Sequence, residues 1–304
     1  MKRLATYFML MVMILSFTGC TSDKNNNEGL KSEESVESVV NTVEEKDTTE
    51  STDEELSKEK LVVDENNEID SKVNNIDETK KEVETVNNTI NEKNNENSKK
   101  IIVIDPGHAS HSNLEKEEQS PGSGIMKIKD GGGAQGNTTG TPEYVVNMKV
   151  AMKLKSLLES KNYTVIMTKT SHEESLGNIE RANIGNDNNA SLVIRIHCDS
   201  AENSSASGAS MLVPGNVGYA KDISGISRKY GEVVLNSLVE SANMKNRGIS
   251  VREDMTGFNW SKVPVILVEM GFMSNPQEDK LLSDDSYQDK LAQGLCNGII
   301  KCFE

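Results

Sequence analysis

Four residues of this 304-residue chain combine the types and placement that chemistry needs: His108, Glu143, His197 and Glu269. Two imidazoles and one carboxylate make the His2Glu donor set of a catalytic zinc site, in which the fourth position stays open to water. A cation held there brings the pKa of water down to about 7. A second carboxylate close by can then take a proton from that water and hand it to a leaving amine. Taken singly, each residue is weak. A strand-end histidine is more often structural, and a glutamate in a first helical turn often only favours the helix dipole. The constellation is what counts, and the chain has only 4 His in all, two of them in this set.

The elements that position these residues follow from the apolar pattern. Short apolar runs predict strands over 101–104, 164–168, 192–196, 208–213 and 265–268. Apolar residues at helical spacing predict helices from 142 to about 160 and over 179–186, 223–239 and 286–302. The first of these helices opens with Thr141 as N-cap and Pro142 at the first helical position, which places Glu143 in the first turn. Strands alternating with helices predict one α/β domain over 100–304, a mainly parallel mixed sheet with helices on both faces. In such sheets chemistry collects beyond the carboxyl ends of the strands. His108 falls just after the first predicted strand, His197 directly after the third and Glu269 directly after the fifth.

Upstream, residues 1–20 read as a lipoprotein signal peptide: Lys2 and Arg3, an apolar run too short for a membrane span, then Phe17-Thr18-Gly19-Cys20. Cleavage before Cys20 predicts a lipid-anchored protein on the outer face of the cell membrane. Residues 21–99 form an acidic linker without Phe, Trp, Tyr or Pro, too poor in apolar surface to offset its ordering entropy, and are expected to be disordered. Val62, Ile69, Ile76, Val83 and Ile90 recur every seven residues there, but the complementary seam is mostly polar and argues against a coiled coil. The net charge of −15 excludes a nucleic-acid footprint. Cys198, Cys296 and Cys302 do not suggest a disulfide scaffold. The last two are expected as buried apolar residues, and Cys198 on the strand face opposite His197.

Four ordered segments carry a family resemblance. They are Ile104-Asp105-Pro106-Gly107-His108; Thr141-Pro142-Glu143-Tyr144; Arg181-Ala182-Asn183 with Arg195-Ile196-His197-Cys198-Asp199; and the run from Leu267 to Pro276, which contains Glu269-Met270-Gly271-Phe272. Together they resemble the zinc-dependent N-acetylmuramoyl-L-alanine amidases of the Amidase_3 family. The resemblance implies zinc held by His108, Glu143 and His197, with Glu269 as acid/base. The implied substrate is peptidoglycan, cut between N-acetylmuramic acid and the first L-alanine of the stem peptide. A protein activator is an open expectation. Arg195 and Asn183 are the further candidates for substrate contact. A charge such as Arg195 inside an apolar strand must either pair with an internal acid or reach a substrate carboxylate.

The long insert from Ala109 to Gly140, rich in glycine, either shapes or gates the groove or is a passive surface excursion. His111 within it is not expected to be a ligand, and His172 is expected in solvent. Two rival readings remain: another zinc peptidase of cell-wall peptides, which would usually show a close His-x-x-Glu pair, and a non-catalytic wall-binding lipoprotein.

Overall fold

The computed structural model describes Thr89, Glu92, Lys93 and residues 95–304. The predicted leader, Cys20 and the row of heptad-spaced residues fall outside the described residues. The last part of the expected linker belongs to the folded unit. Residues 95–97 are helical, Asn97 Nδ2 donates to the Lys161 carbonyl at 2.9 Å, and the Ser98 carbonyl accepts from Thr164 Oγ1 at 3.1 Å.

Six strands form the central sheet: β1 (Ile101–Pro106), β4 (Thr164–Met167), β5 (Leu192–Asp199), β6 (Ala209–Pro214), β7 (Asn246–Arg252) and β8 (Val265–Phe272). Their order is β4-β1-β5-β8-β6-β7. The pairs β1–β4, β1–β5 and β5–β8 are parallel, whereas β6 runs antiparallel to β8. The sheet is therefore mixed and mainly parallel, as the alternation of elements implies. Two strands, β2 (Asn113–Glu118) and β3 (Met126–Asp130), form a separate antiparallel hairpin inside the glycine-rich insert.

The central strands are near-continuous apolar runs because both faces are covered. One face packs α1 (Glu143–Glu159), α3 (Ser224–Ala242) and α6 (Asp285–Cys302) through Leu154, Leu158, Leu235, Leu238 and Leu295 against Ile104, Ile194, Ile196 and Val268. Each such wholly buried aliphatic side chain contributes on the order of 2 kcal/mol. The other face is thinner. Val103, Val193, Val265 and Leu267 meet Ala220, Ile223 and Phe258, beside α2 (Asn178–Asp187) and the short α4 (Thr256–Asn259). Strand alternation assigns Ile194, Ile196 and Cys198 to the first face and Arg195 and His197 to the second.

Some local expectations shift. Helix α1 begins at Glu143 with Pro142 as its N-cap residue and no side-chain cap. Thr141 does not cap because its hydroxyl is engaged by Thr139 Oγ1 and Ser283 Oγ. A helix not anticipated, α5 (Pro276–Ser283), precedes α6 and is capped by Asn275, whose side chain accepts from the amides of Gln277 and Glu278. Cys296 is buried, but Cys302 is only half-buried.

Candidate active site

Each candidate ligand is delivered by the end of an element. Strand β1 ends at Pro106, and the Gly107 amide continues its pairing by donating to the Ile196 carbonyl at 2.9 Å. Residue 107 must lack a side chain, since a Cβ there would lie 2.2 Å from the His197 imidazole. The next residue, His108, has φ 62°. That left-handed conformation is costly for a non-glycine residue and collects at functional sites. It is held by a hydrogen bond from Lys169 Nζ to the His108 carbonyl.

The His108 ring is oriented by the insert. Its Nδ1 lies 2.8 Å from Asp130 Oδ1 at the end of β3, and that same oxygen accepts from the Gly132 amide at 2.9 Å. Burial raises the Asp130 carboxyl, but the bond to His108 and its charge outweigh this, and the net shift is downward. An ionised Asp130 requires the proton on Nδ1. Burial opposes a charged His108 ring, but the bond to Asp130 and the charge of Glu143 raise its pKa on balance. In the neutral ring the free lone pair is on Nε2, 3.5 Å from Glu143 Oε1. A carboxylate behind a ligating histidine is the usual device for fixing tautomer and ring orientation.

His197 sits near the end of β5, its Nδ1 3.2 Å from the same Glu143 oxygen. Its ring stands edge-on to that of His108, centroids 4.9 Å apart. Burial, above all, lowers its pKa and favours the neutral imidazole that binds metals. Glu143 is buried in the first turn of α1. Its Oε2 accepts from the Ala134 amide at 2.8 Å, and its Oε1 from the Cys198 amide and Asn147 Nδ2, both at 3.1 Å. Burial works against the carboxylate, but the bond from His197, the positive charge the two imidazoles carry when protonated and the Ala134 amide pull its pKa down to about 2.

One ligand atom from each of His108, Glu143 and His197 can be chosen so that all lie within 4.8 Å of one another. His197 Nε2 is buried without a hydrogen-bond partner. An orphaned buried polar atom costs about 1–3 kcal/mol. Two imidazoles, an ionised carboxylate and an unsatisfied nitrogen are the donor chemistry that suits a zinc ion.

Glu269 is the register partner of His197 across the β5–β8 ladder and projects to the same face. Burial chiefly, then the charges of Glu143 and Asp199, pushes its carboxyl well above the usual range, and its Oε2 is buried without a partner. A carboxyl poised towards its neutral form beside an open donor set is suited to proton transfer.

The remaining candidates separate. Arg195 pairs with an internal acid: its Nε donates to Asp105 Oδ2 at 2.7 Å and its Nη2 to Asn178 Oδ1 at 2.8 Å. Arg195 also lines the cavity beside His108 and His197. Asn183 is exposed on α2 and does not line that cavity; Asn178 does. Five residues separate the two, turning Asn183 about 140° away around the helix. Asn186 is, besides Asn178, a structurally engaged asparagine of this helix, donating to the Trp260 carbonyl and accepting from the Lys262 amide. His111 is exposed and outside the ligand group. His172, expected in solvent, is half-buried against Tyr144, ring centroids 5.2 Å apart. Cys198 points away from the site into the first core, next to Asn147.

Sequence reasoning missed Asp130 and Asn147, although signals existed. Asp130 opens the Gly131-Gly132-Gly133 run, and Asn147 lies one helical turn after Glu143 on the same helix face. The insert is not passive. Besides Asp130, it supplies Glu117, whose carboxylate accepts from the Asn178 and Ile179 amides at the start of α2, at 2.8 and 3.0 Å.

Residues 102–301 match the family model Amidase_3, N-acetylmuramoyl-L-alanine amidase. The probable cell wall amidase LytH of Staphylococcus saprophyticus is 27% identical over 208 residues, covering 67% of this chain and 58% of its own. The chain thus spans little more than half the length of that relative. The germination-specific N-acetylmuramoyl-L-alanine amidase of Bacillus subtilis is 28% identical over 222 residues, 68% of this chain and 81% of that one. Among solved structures, the amidase Ami1 of Mycobacterium abscessus shares the fold with a TM-score of 0.62 at 22% identity, covering 68% of this chain and 99% of its own. The CwlD amidase of Clostridioides difficile, solved in complex with the GerS lipoprotein, gives 0.52 at 25% identity over 67% and 98%.

Proposed function

The chain belongs to the Amidase_3 family of N-acetylmuramoyl-L-alanine amidases, and on that premise we propose that it cuts peptidoglycan between N-acetylmuramic acid and the L-alanine of the stem peptide. The observation that carries this reading is the convergence of His108, Glu143 and His197, far apart in sequence, within 4.8 Å, with Glu269 paired to His197. That convergence favours a hydrolase over a non-catalytic wall-binding protein.

In this reading His108, Glu143 and His197 hold zinc, which when bound supplies a Lewis acid for the scissile carbonyl and for a water molecule. The chain's own groups do the rest. Asp130 keeps the His108 proton on Nδ1, so that Nε2 would be the nitrogen available to the ion. Asn147 and the Ala134 and Cys198 amides hold Glu143 in place. Glu269, in its ionised form, would take a proton from the attacking water; its raised pKa favours holding that proton until it is returned to the nitrogen of the departing alanine.

Cys20 is proposed to carry the lipid, with linker 21–99 between the membrane's outer face and the catalytic domain. A protein activator is a further proposal, supported by the lipoprotein partner present with CwlD. Mass spectrometry of peptidoglycan treated with the mature chain tests the activity. Release of intact stem peptides with a free N-terminal alanine is expected. Cleavage inside the stem peptide would move the assignment to another cell-wall peptidase.

A further inference from the structure

Beside the ligand set lies a cavity of about 190 Å³ whose wall is rich in cationic side chains. Its lining includes His108 and His197 together with Lys129, Arg181, Arg195 and Asn178; the Lys129 ammonium is bonded to Glu115 Oε2 at 3.0 Å. The two arginines are buried and share a single carboxylate. Arg181 Nη1 donates to Asp105 Oδ1 at 2.6 Å and Arg195 Nε to Asp105 Oδ2 at 2.7 Å. One acid for two guanidiniums leaves a buried positive charge in excess. Arg181 Nε and Nη1 are further engaged with the Leu176 and Pro106 carbonyls, yet its Nη2 is buried and has no partner. Such a group is costly to leave unmade. Gly257 lets the Arg195 guanidinium sit where it does, since a Cβ there would come within 2.3 Å of Nη1. Asp130 also lines the cavity, but it is bonded to His108 and the Gly132 amide.

We infer that this wall is a carboxylate subsite that selects stem peptides whose residue next to the scissile alanine bears a free α-carboxylate over those in which that group is amidated. The inference rests on the amidase reading for its substrate class. The planar forks of arginine match a carboxylate in geometry as well as charge. The cavity has room for about one residue beside the ligands, and Leu176, Met255 and Leu267 supply an apolar surface for its aliphatic part. A neutral carboxamide could still offer its carbonyl oxygen to these donors, but it lacks the negative charge and the second acceptor oxygen that answer a guanidinium fork.

The test uses the full mature chain carrying Glu269→Gln, loaded with zinc, and two defined ligands: N-acetylmuramoyl-L-alanyl-D-glutamate and its D-isoglutamine counterpart. Calorimetric titration is expected to give at least tenfold tighter binding of the acid, the range of a charge-assisted hydrogen bond. Lys129→Met, which leaves the Asp105 cluster intact, and Arg195→Met, checked for folding by circular dichroism, are each expected to narrow that ratio. Equal affinity for acid and amide, no binding of either, or a ratio unmoved in both folded variants overturns the subsite. Turnover by the wild-type chain reports separately on the amidase reading. Cleavage of both ligands with equal affinities removes the subsite alone. Tighter binding of the acid without cleavage removes the amidase assignment alone.

Discussion

His197 and Glu269 are register partners on adjacent parallel strands, so one ladder rung presents a metal-type donor and a proton-transfer group side by side on the same face. Adjacent strands lie about 4.8 Å apart, which sets the two side chains at a distance that a water molecule can bridge. Neither position depends on a flexible loop. That rigidity is what a reaction requiring an aligned water and base demands.

Replacing Glu269 by Gln keeps the shape of the rung and removes the proton acceptor. The expected outcome is a fall in kcat of about 10²- to 10⁴-fold, with zinc content unchanged by elemental analysis. Loss of zinc along with activity would instead make Glu269 part of the ligand set.

Asp130→Asn leaves a side chain that still reaches His108 Nδ1 but no longer fixes its proton. Zinc affinity, measured by competition with a chromogenic chelator, is expected to drop about 10- to 100-fold. Unchanged affinity would show that the His108 ring is held by packing alone.

Gly107→Ala places a methyl group against the His197 imidazole. The sheet is expected to survive, with near-native far-ultraviolet circular dichroism, while zinc binding and hydrolysis fall together. A variant with wild-type zinc affinity would mean that His197 has room to move aside.

Acid stability turns on Asp105. Burial opposes its charge, but Arg181, Arg195 and Thr168 overcome this and hold the carboxyl well below its ordinary value of 3.8. A depressed folded pKa contributes stability at pH values above 3.8, and that contribution is lost as pH falls from there towards the folded value. Asp105→Asn strips two buried guanidiniums of their acid and is expected to cost about 3–5 kcal/mol in urea unfolding at pH 7. The gap between variant and parent should narrow as pH drops below about 4; a gap that stays constant to pH 3 would contradict this.

The sequence made the framework legible where period and chemistry agree. The apolar runs of β1, β5 and β8 and the stripe of α1 are strong signals because these elements are buried on one or both faces, and they carry His108, His197, Glu269 and Glu143 to one place. The hairpin was opaque for the opposite reason. Asn113–Glu118 is almost wholly charged or polar, since the strand has no core beneath it and is tied instead by Glu117 to α2. Strand β7, with Arg247, Gly248 and Arg252 on the sheet edge, likewise lacks an apolar signature. Arg195 was recognisable as a charge needing a partner, but Asp105 lies 90 residues away in sequence, and only the β1–β5 pairing brings them together. Asn183 belongs to the Arg181-Ala182-Asn183 segment, but membership of a motif carries no information about helix face.

Zinc-edge X-ray absorption on the purified mature chain tests most directly whether the three distant residues share one ion. One zinc per chain with a shell of nitrogen and oxygen at about 2.0–2.2 Å and no sulfur is predicted, lost on His197→Ala. A sulfur shell near 2.3 Å, or zinc that persists undiminished in His197→Ala, would contradict the site.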